Sequence, residues 1–166
     1  MEFYVAAGPG TEKALRDELS ELGFRSVRLN RGGIPFFGEW EDGWRACLET
    51  RLGQRVMAVM GRFPARDLRQ LYESARELPW LDVITPQHSF AVAAYAHESC
   101  GENPNFVALK VKDAIADSMR EQLGQRSSVS RDDPDLRVFV YWAREKATVY
   151  LDLSGEPLFK RGYRRA

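Results

Sequence analysis

Asp132, Asp133 and Asp135 place three carboxylates within the four residues DDPD, the density that a divalent cation or a general acid/base pair demands. Such a site also needs ligands converging from other segments. Arg131 and Arg137 flank the cluster, so the pattern predicts a salt-bridged turn leading into a strand. His88 and His97 are the two imidazoles; alternation puts His97 with Tyr95 on the accessible side of its strand, and neither histidine is given a serine or cysteine partner. No catalytic triad emerges. Cys47 and Cys100 are the two cysteines, too few and too far apart for a metal cluster or a disulfide framework. They read as thiols of a reducing, cytoplasmic compartment.

Two glycine- or proline-bearing motifs have simpler readings than ligand binding. AAGPG, ending at Gly10, lacks the G-x-G-x-x-G spacing of a dinucleotide loop and reads as a strand-to-helix turn. NPNF, Asn103 to Phe106, reads as a helix N-terminus with Pro104 in its first turn.

What survives is positive charge. Lys plus Arg and Asp plus Glu both number 24 among 166 residues, for a formal net charge of zero, which excludes a generally basic nucleic-acid coat and leaves only local patches. Lys110 and Lys112 stand about 100° to either side of Val111 on a helical projection, with stems over the core margin and ammonium groups in water. GQRSSVSR sets Arg126 and Arg131 among hydroxyls able to bond phosphate or sugar oxygens. The last residues add Lys160, Arg161, Arg164 and Arg165 with Phe159 and Tyr163 interleaved, a mixture that neutralises phosphates and stacks bases.

These groups must be positioned by regular elements. EFYVAAG reads as a strand; Leu15, Leu19 and Leu22 mark a helix from Thr11 to Gly23; Val27 to Leu29 and IPFF form a predicted hairpin, with Pro35 at a sheet edge or bulge. EDGWRACLETR is a short helix in spite of Gly43, and QRVMAVMGRF a strand. That βαββαβ order is the ferredoxin-like sandwich. A second unit begins near Pro64, with a helix carrying Leu68, Leu71, Tyr72, Ala75 and Leu78, the strand SFAVAAYAHE, a long helix through Val107, Val111, Ile115 and Met119 to Gly124, and a hairpin around Arg144 and Glu145. The expected class is α+β, divided into 1–63 and 64–166. No window approaches the length and apolarity of a membrane span.

KVKDAIADSM (Lys110–Met119), SRDDPDLRVFVYW (Ser130–Trp142), LDLSGEPLFKRGYR (Leu151–Arg164) and AAGPGTEKALRDELSELG (Ala6–Gly23) together resemble the N-terminal region of the bacterial enzymes that methylate N2 of guanine in 23S ribosomal RNA. The resemblance implies a ferredoxin-like domain followed by a THUMP domain, an RNA-binding module. It implies structured RNA, 23S rRNA, as partner, with no membrane or DNA contact and a monomeric state. S-adenosylmethionine is expected in a catalytic domain beyond this region, no cofactor being expected on these residues. Lys110, Lys112, Arg137, Arg161, Tyr163 and Arg164 match the family's motifs and become candidate RNA contacts; Asp113, Asp135 and Asp152 also match and are given structural roles. Competing functions are a THUMP region of a tRNA-modifying enzyme and a protein-interaction domain in ribosome assembly. Convergent basic groups would mark the RNA module, and an exposed apolar patch the protein partner.

Overall fold

The computed structural model describes residues 1–125 and 127–160. They pack as two compact units, one of Met1–Val59 together with the segment from Asp152, the other of Met60–Leu151.

In the first unit the order is β1 (Glu2–Ala6), α1 (Glu12–Glu21), β2 (Gly33–Phe37), α2 (Trp40–Glu49) and the start of β3 (Arg55–Pro64). β1 lies between β2 and β3 and is antiparallel to both, with Tyr4 opposite Pro35 on one side and Met57 on the other. Pro35 thus occupies an edge strand, where its missing N–H is harmless. Alternation buries Phe3 and Val5 completely, and Leu15 and Leu19 of α1 and Ala46 of α2 are buried in the same unit.

The predicted strand at Val27–Leu29 does not form. Ser26 adopts φ 53°, a left-handed conformation that breaks an extended run; an isolated bridge between Arg25 and Phe37 and one bond from Arg28 N–H to Pro35 O (3.2 Å) remain. The order up to β3 is therefore βαβαβ. At the opposite side of this sheet, residues after Asp152 attach at β3: Leu153 N–H donates to Val56 O (2.9 Å) and Leu158 N–H to Gln54 O (2.8 Å), while Arg55 pairs with Asp152. These bonds are why packing groups Asp152 onward with the first unit, whereas the sequence division groups it with 64–166.

In the second unit α3 (Leu68–Arg76), β4 (Ser89–Ala96), α4 (Pro104–Leu123), β5 (Ser128–Val129), β6 (Leu136–Ala143) and β7 (Lys146–Asp152) follow. β4 is parallel to both β5 and β6, with Ala91 opposite Arg137 and Tyr95 opposite Tyr141. Arg144 and Glu145 turn the β6–β7 hairpin at φ 50° and 60°, the paired positive values of a two-residue type I′ turn. Asp67 caps α3 by accepting from Gln70 N–H at 2.7 Å, and Asn103 caps α4 ahead of Pro104, with Gly124 at φ 69° ending it. Val107, Val111, Ile115 and Met119 of α4 are fully buried, as are Phe90 and Val140 of the sheet; each such side chain contributes roughly 1.5–3 kcal/mol of transfer free energy. α3 and α4 are further tied by Tyr72 Oη, which donates to Asp117 at 2.7 Å.

Candidate nucleic-acid interface

Helical spacing sets Asn105, Ala108, Leu109 and Lys112 in one stripe of α4, at steps of three and four. With Ala91, Val92 and Ala93 of β4, Arg137 and Val138 of β6, and Val129 and Arg131 at and after β5, they line a cavity of about 610 Å³. β5 pairs only Ser89 and Phe90 of β4, and Ser130 N–H gives one more bond, to Phe90 O at 3.1 Å. Beyond that point the β4 edge bordering the cavity has no strand partner among the described residues.

Among the described residues the ionisable lining is entirely cationic: Lys112, Arg131 and Arg137. Lys112 is half-buried and pairs with its exposed neighbour Asp113 at 2.9 Å, which holds the ammonium without removing it from the cavity wall. Neither arginine makes an ion pair among the described residues. The reason lies in the acidic cluster. Asp135, expected to bridge to the flanking arginines, instead accepts from Ser89 N–H (2.7 Å) and Ser89 Oγ (3.1 Å), and these hydrogen bonds, backbone first, hold its carboxyl below the usual carboxylate range. A parallel β4–β6 pairing that starts at Phe90 and Leu136 brings Ser89 beside Asp135, a juxtaposition invisible in the local sequence. The salt-bridged turn is thus corrected to a serine-tied one, and it leaves both guanidinium groups free of local carboxylates.

Other candidate chemistry resolves into local structure. Among the described residues no group of three His, Cys, Asp or Glu side chains is placed to hold a metal ion. His97 does have a serine partner, contrary to expectation. Its Nδ1 lies 2.9 Å from Ser99 Oγ and accepts from Ser99 N–H at 3.1 Å, capping a single turn at Glu98–Cys100. His88 Nδ1 accepts from Thr85 N–H at 3.3 Å. Asp152 takes a structural role with Arg55 and with Ser154 N–H. The AAGPG turn does not fit a nucleoside cofactor: Thr11 N–H (3.0 Å) and Oγ1 (2.8 Å) both donate to Gly8 O, so the turn closes on its own backbone.

Of the sequence-derived basic candidates, the fold brings Lys112, Arg131 and Arg137 together. Lys110 is exposed on α4 but does not line the cavity. Lys160 ends a short turn at Leu158–Lys160 in the first unit and pairs with Glu156 at 3.0 Å. Arg126, Arg161, Tyr163, Arg164 and Arg165 lie outside the described residues. Sequence reasoning missed Asn105, Leu109 and Val129. The first two share Lys112's stripe and were findable by stepping back seven and three residues; Val129 depends on the β4–β5 pairing. Phe106 (58%) and Leu109 (39%) are exposed apolar side chains near the start of α4, so the surface is not purely polar.

The family model for the THUMP domain matches residues 65–152, and that for the RlmL ferredoxin-like domain matches residues 2–57. The chain is 40% identical over 164 residues to a protein of Allochromatium vinosum named ribosomal RNA large subunit methyltransferase K/L, covering 99% of this chain and 22% of that one. A protein of the same name from Syntrophotalea carbinolica is also 40% identical, with 99% and 23% covered. The chain therefore spans less than a quarter of the length of these curated relatives. Among solved structures, one described as a predicted N6-adenine-specific DNA methylase from Listeria monocytogenes superposes with a TM-score of 0.88 at 27% identity, over 99% of this chain and 43% of that one.

Proposed function

We infer, from the premise that this chain belongs to the THUMP-domain family and carries an RlmL-type ferredoxin-like domain ahead of that module, that it recruits structured RNA. The α+β fold expected from the sequence, a ferredoxin-like domain followed by a THUMP-like domain, is the one these matches and elements establish. The full reading is the substrate-recruiting region of a cytoplasmic, S-adenosylmethionine-dependent methyltransferase acting on guanine N2 of 23S rRNA. Its support is the likeness to the large-subunit rRNA methyltransferases over 99% of the chain.

One observation carries the RNA-binding reading: Lys112, Arg131 and Arg137 converge on one cavity with no carboxylate among the described residues of its lining. Fixed cations on a rigid sheet and helix are suited to phosphate oxygens, and phosphate contacts set position more than sequence preference. The arginines offer forked donors and the lysine a point charge.

The test is fluorescence anisotropy with a structured RNA fragment as a function of salt. Three phosphate contacts predict a log–log slope of magnitude roughly 2 to 3, and Arg131→Ala with Arg137→Ala should lower it by between one and two while weakening binding evenly across sequences. A slope unaffected by the double substitution would refute the assignment. Salt-insensitive binding to ribosomal protein partners through Phe106 and Leu109 would favour the protein-interaction reading.

A further inference from the structure

Arg137 belongs to a second arrangement as well as to the cavity wall. Along β6 its side chain shares one face of the sheet with Phe139 and Tyr141, since strand residues two apart point the same way, at steps of about 6.7 Å. The opposite face carries Val138, Val140 and Trp142, which are at most 1% exposed and form the core side. On the outer face, register places Tyr95 of β4 opposite Tyr141. The two rings are nearly parallel, 10° apart with centroids at 5.2 Å, yet remain 45% and 44% exposed. Behind them Phe139 lies 6.4 Å from Tyr150 of β7.

Burying hydrophobic area does not account for this pair. Two large rings are held flat against one another on a rigid sheet, each with roughly half its surface in water, and their row ends in a guanidinium with no ion-pair partner among the described residues. A peptide partner would add as a strand along the open β4 edge and would not need the flat face of the sheet. A parallel aromatic pair beside a fixed cation instead suits planar π-systems strung on a polyanion.

We propose that this outer face, Tyr95 and Tyr141 with Phe139 and Arg137, is a stacking platform for unpaired RNA bases, so that the RNA recruited is a helix with an adjoining single-stranded segment. The proposal rests on the RNA-binding reading above and specifies its substrate class. Arg137 joins the two surfaces: phosphates held in the cavity leave the following nucleotides over the aromatic row. Stacking accepts any base, so the platform selects for strandedness rather than sequence.

The experiment compares two RNAs on the full 166-residue chain, a blunt hairpin and the same hairpin with a short single-stranded adenosine extension. The extension should tighten binding roughly tenfold, as one well-stacked base would. Tyr95→Ala with Tyr141→Ala should abolish that gain and leave blunt-hairpin affinity unchanged; Tyr95→Phe with Tyr141→Phe should keep it. In the unaltered chain, 5-iodouracil placed in the extension should photocrosslink to Tyr95 or Tyr141, which tests the platform even if the alanine variant unfolds. An extension gain that survives in the folded alanine variant, or a gain lost with phenylalanine, overturns stacking while leaving salt-dependent recruitment standing. Absence of binding to either RNA overturns recruitment and the platform with it.

Discussion

Replacing Gly43 with alanine separates two opposing effects within α2. In an exposed helix interior the substitution stabilises by roughly 0.8–1.0 kcal/mol, through lower backbone entropy in the unfolded chain. Gly43 is not exposed. A Cβ there would stand 2.5 Å from Cε1 and 3.0 Å from Cζ of Phe3, and 2.8 Å from Cδ1 of Leu153. Phe3 cannot withdraw: it is fully buried, stacked on Phe36 at 5.1 Å and set edge-on to Trp40 at 6.2 Å. Leu153 is only half-buried. Overpacking costs about 1–3 kcal/mol, and a clash with two side chains, one of them unable to withdraw, falls in the upper part of that range, so the two terms leave a net loss of about 1–2 kcal/mol. For a unit of this size that is a fall in Tm of roughly 5–10 °C. Thermal unfolding should be followed at amides of β1 and β3 by NMR, so that the first unit is read separately from the second. Adding Leu153→Ala should recover part of the loss by opening the gap that the methyl group enters, a coupling that a double-mutant cycle measures. A Gly43→Ala chain more stable than the parent would refute the packing argument, because only an unobstructed helix position gives that sign.

Two further substitutions test hydrogen bonds that shift a titration. Asp135→Asn should destabilise the second unit at neutral pH. The folded carboxyl is held low by Ser89, so its contribution is present above the unfolded value near pH 3.9 and disappears as pH falls through the folded value; unfolding curves of variant and parent should converge in acid, and a constant gap down to pH 2 would contradict the assignment. Tyr72→Phe removes the donor to Asp117 and should cost about 1 kcal/mol in urea unfolding at pH 7. The bond to Asp117, followed by burial, raises the phenol's pKa, so that difference should shrink as pH rises past the ordinary tyrosine value near 10. A Tyr72→Phe penalty independent of alkaline pH would place its origin in packing alone.

Local patterning determined most elements of this protein. Leucines and valines at steps of three and four marked α1, α3 and α4, and chain chemistry marked the ends of α4: Pro104 in the first turn and Gly124 at the exit. The hairpin at Arg144–Glu145 was legible from the two strand patterns it separates, although neither residue is a glycine. Each of these depends on residues a few positions apart, whose energetics are set before the chain folds back on itself. The tertiary structure decided the rest. Ser26 denied Val27–Leu29 its strand, Gly43 proved to be a packing necessity rather than a weak point in a helix, and Ser89 took the carboxylate that the sequence offered to Arg131 and Arg137. The arginines, Lys112 and the Tyr95–Tyr141 pair became surfaces only through the parallel register of β4 with β6 and the early end of β5. Register between strands separated by a long helix follows from which buried side chains pack together, and that is a property of the whole core, not of any segment read alone.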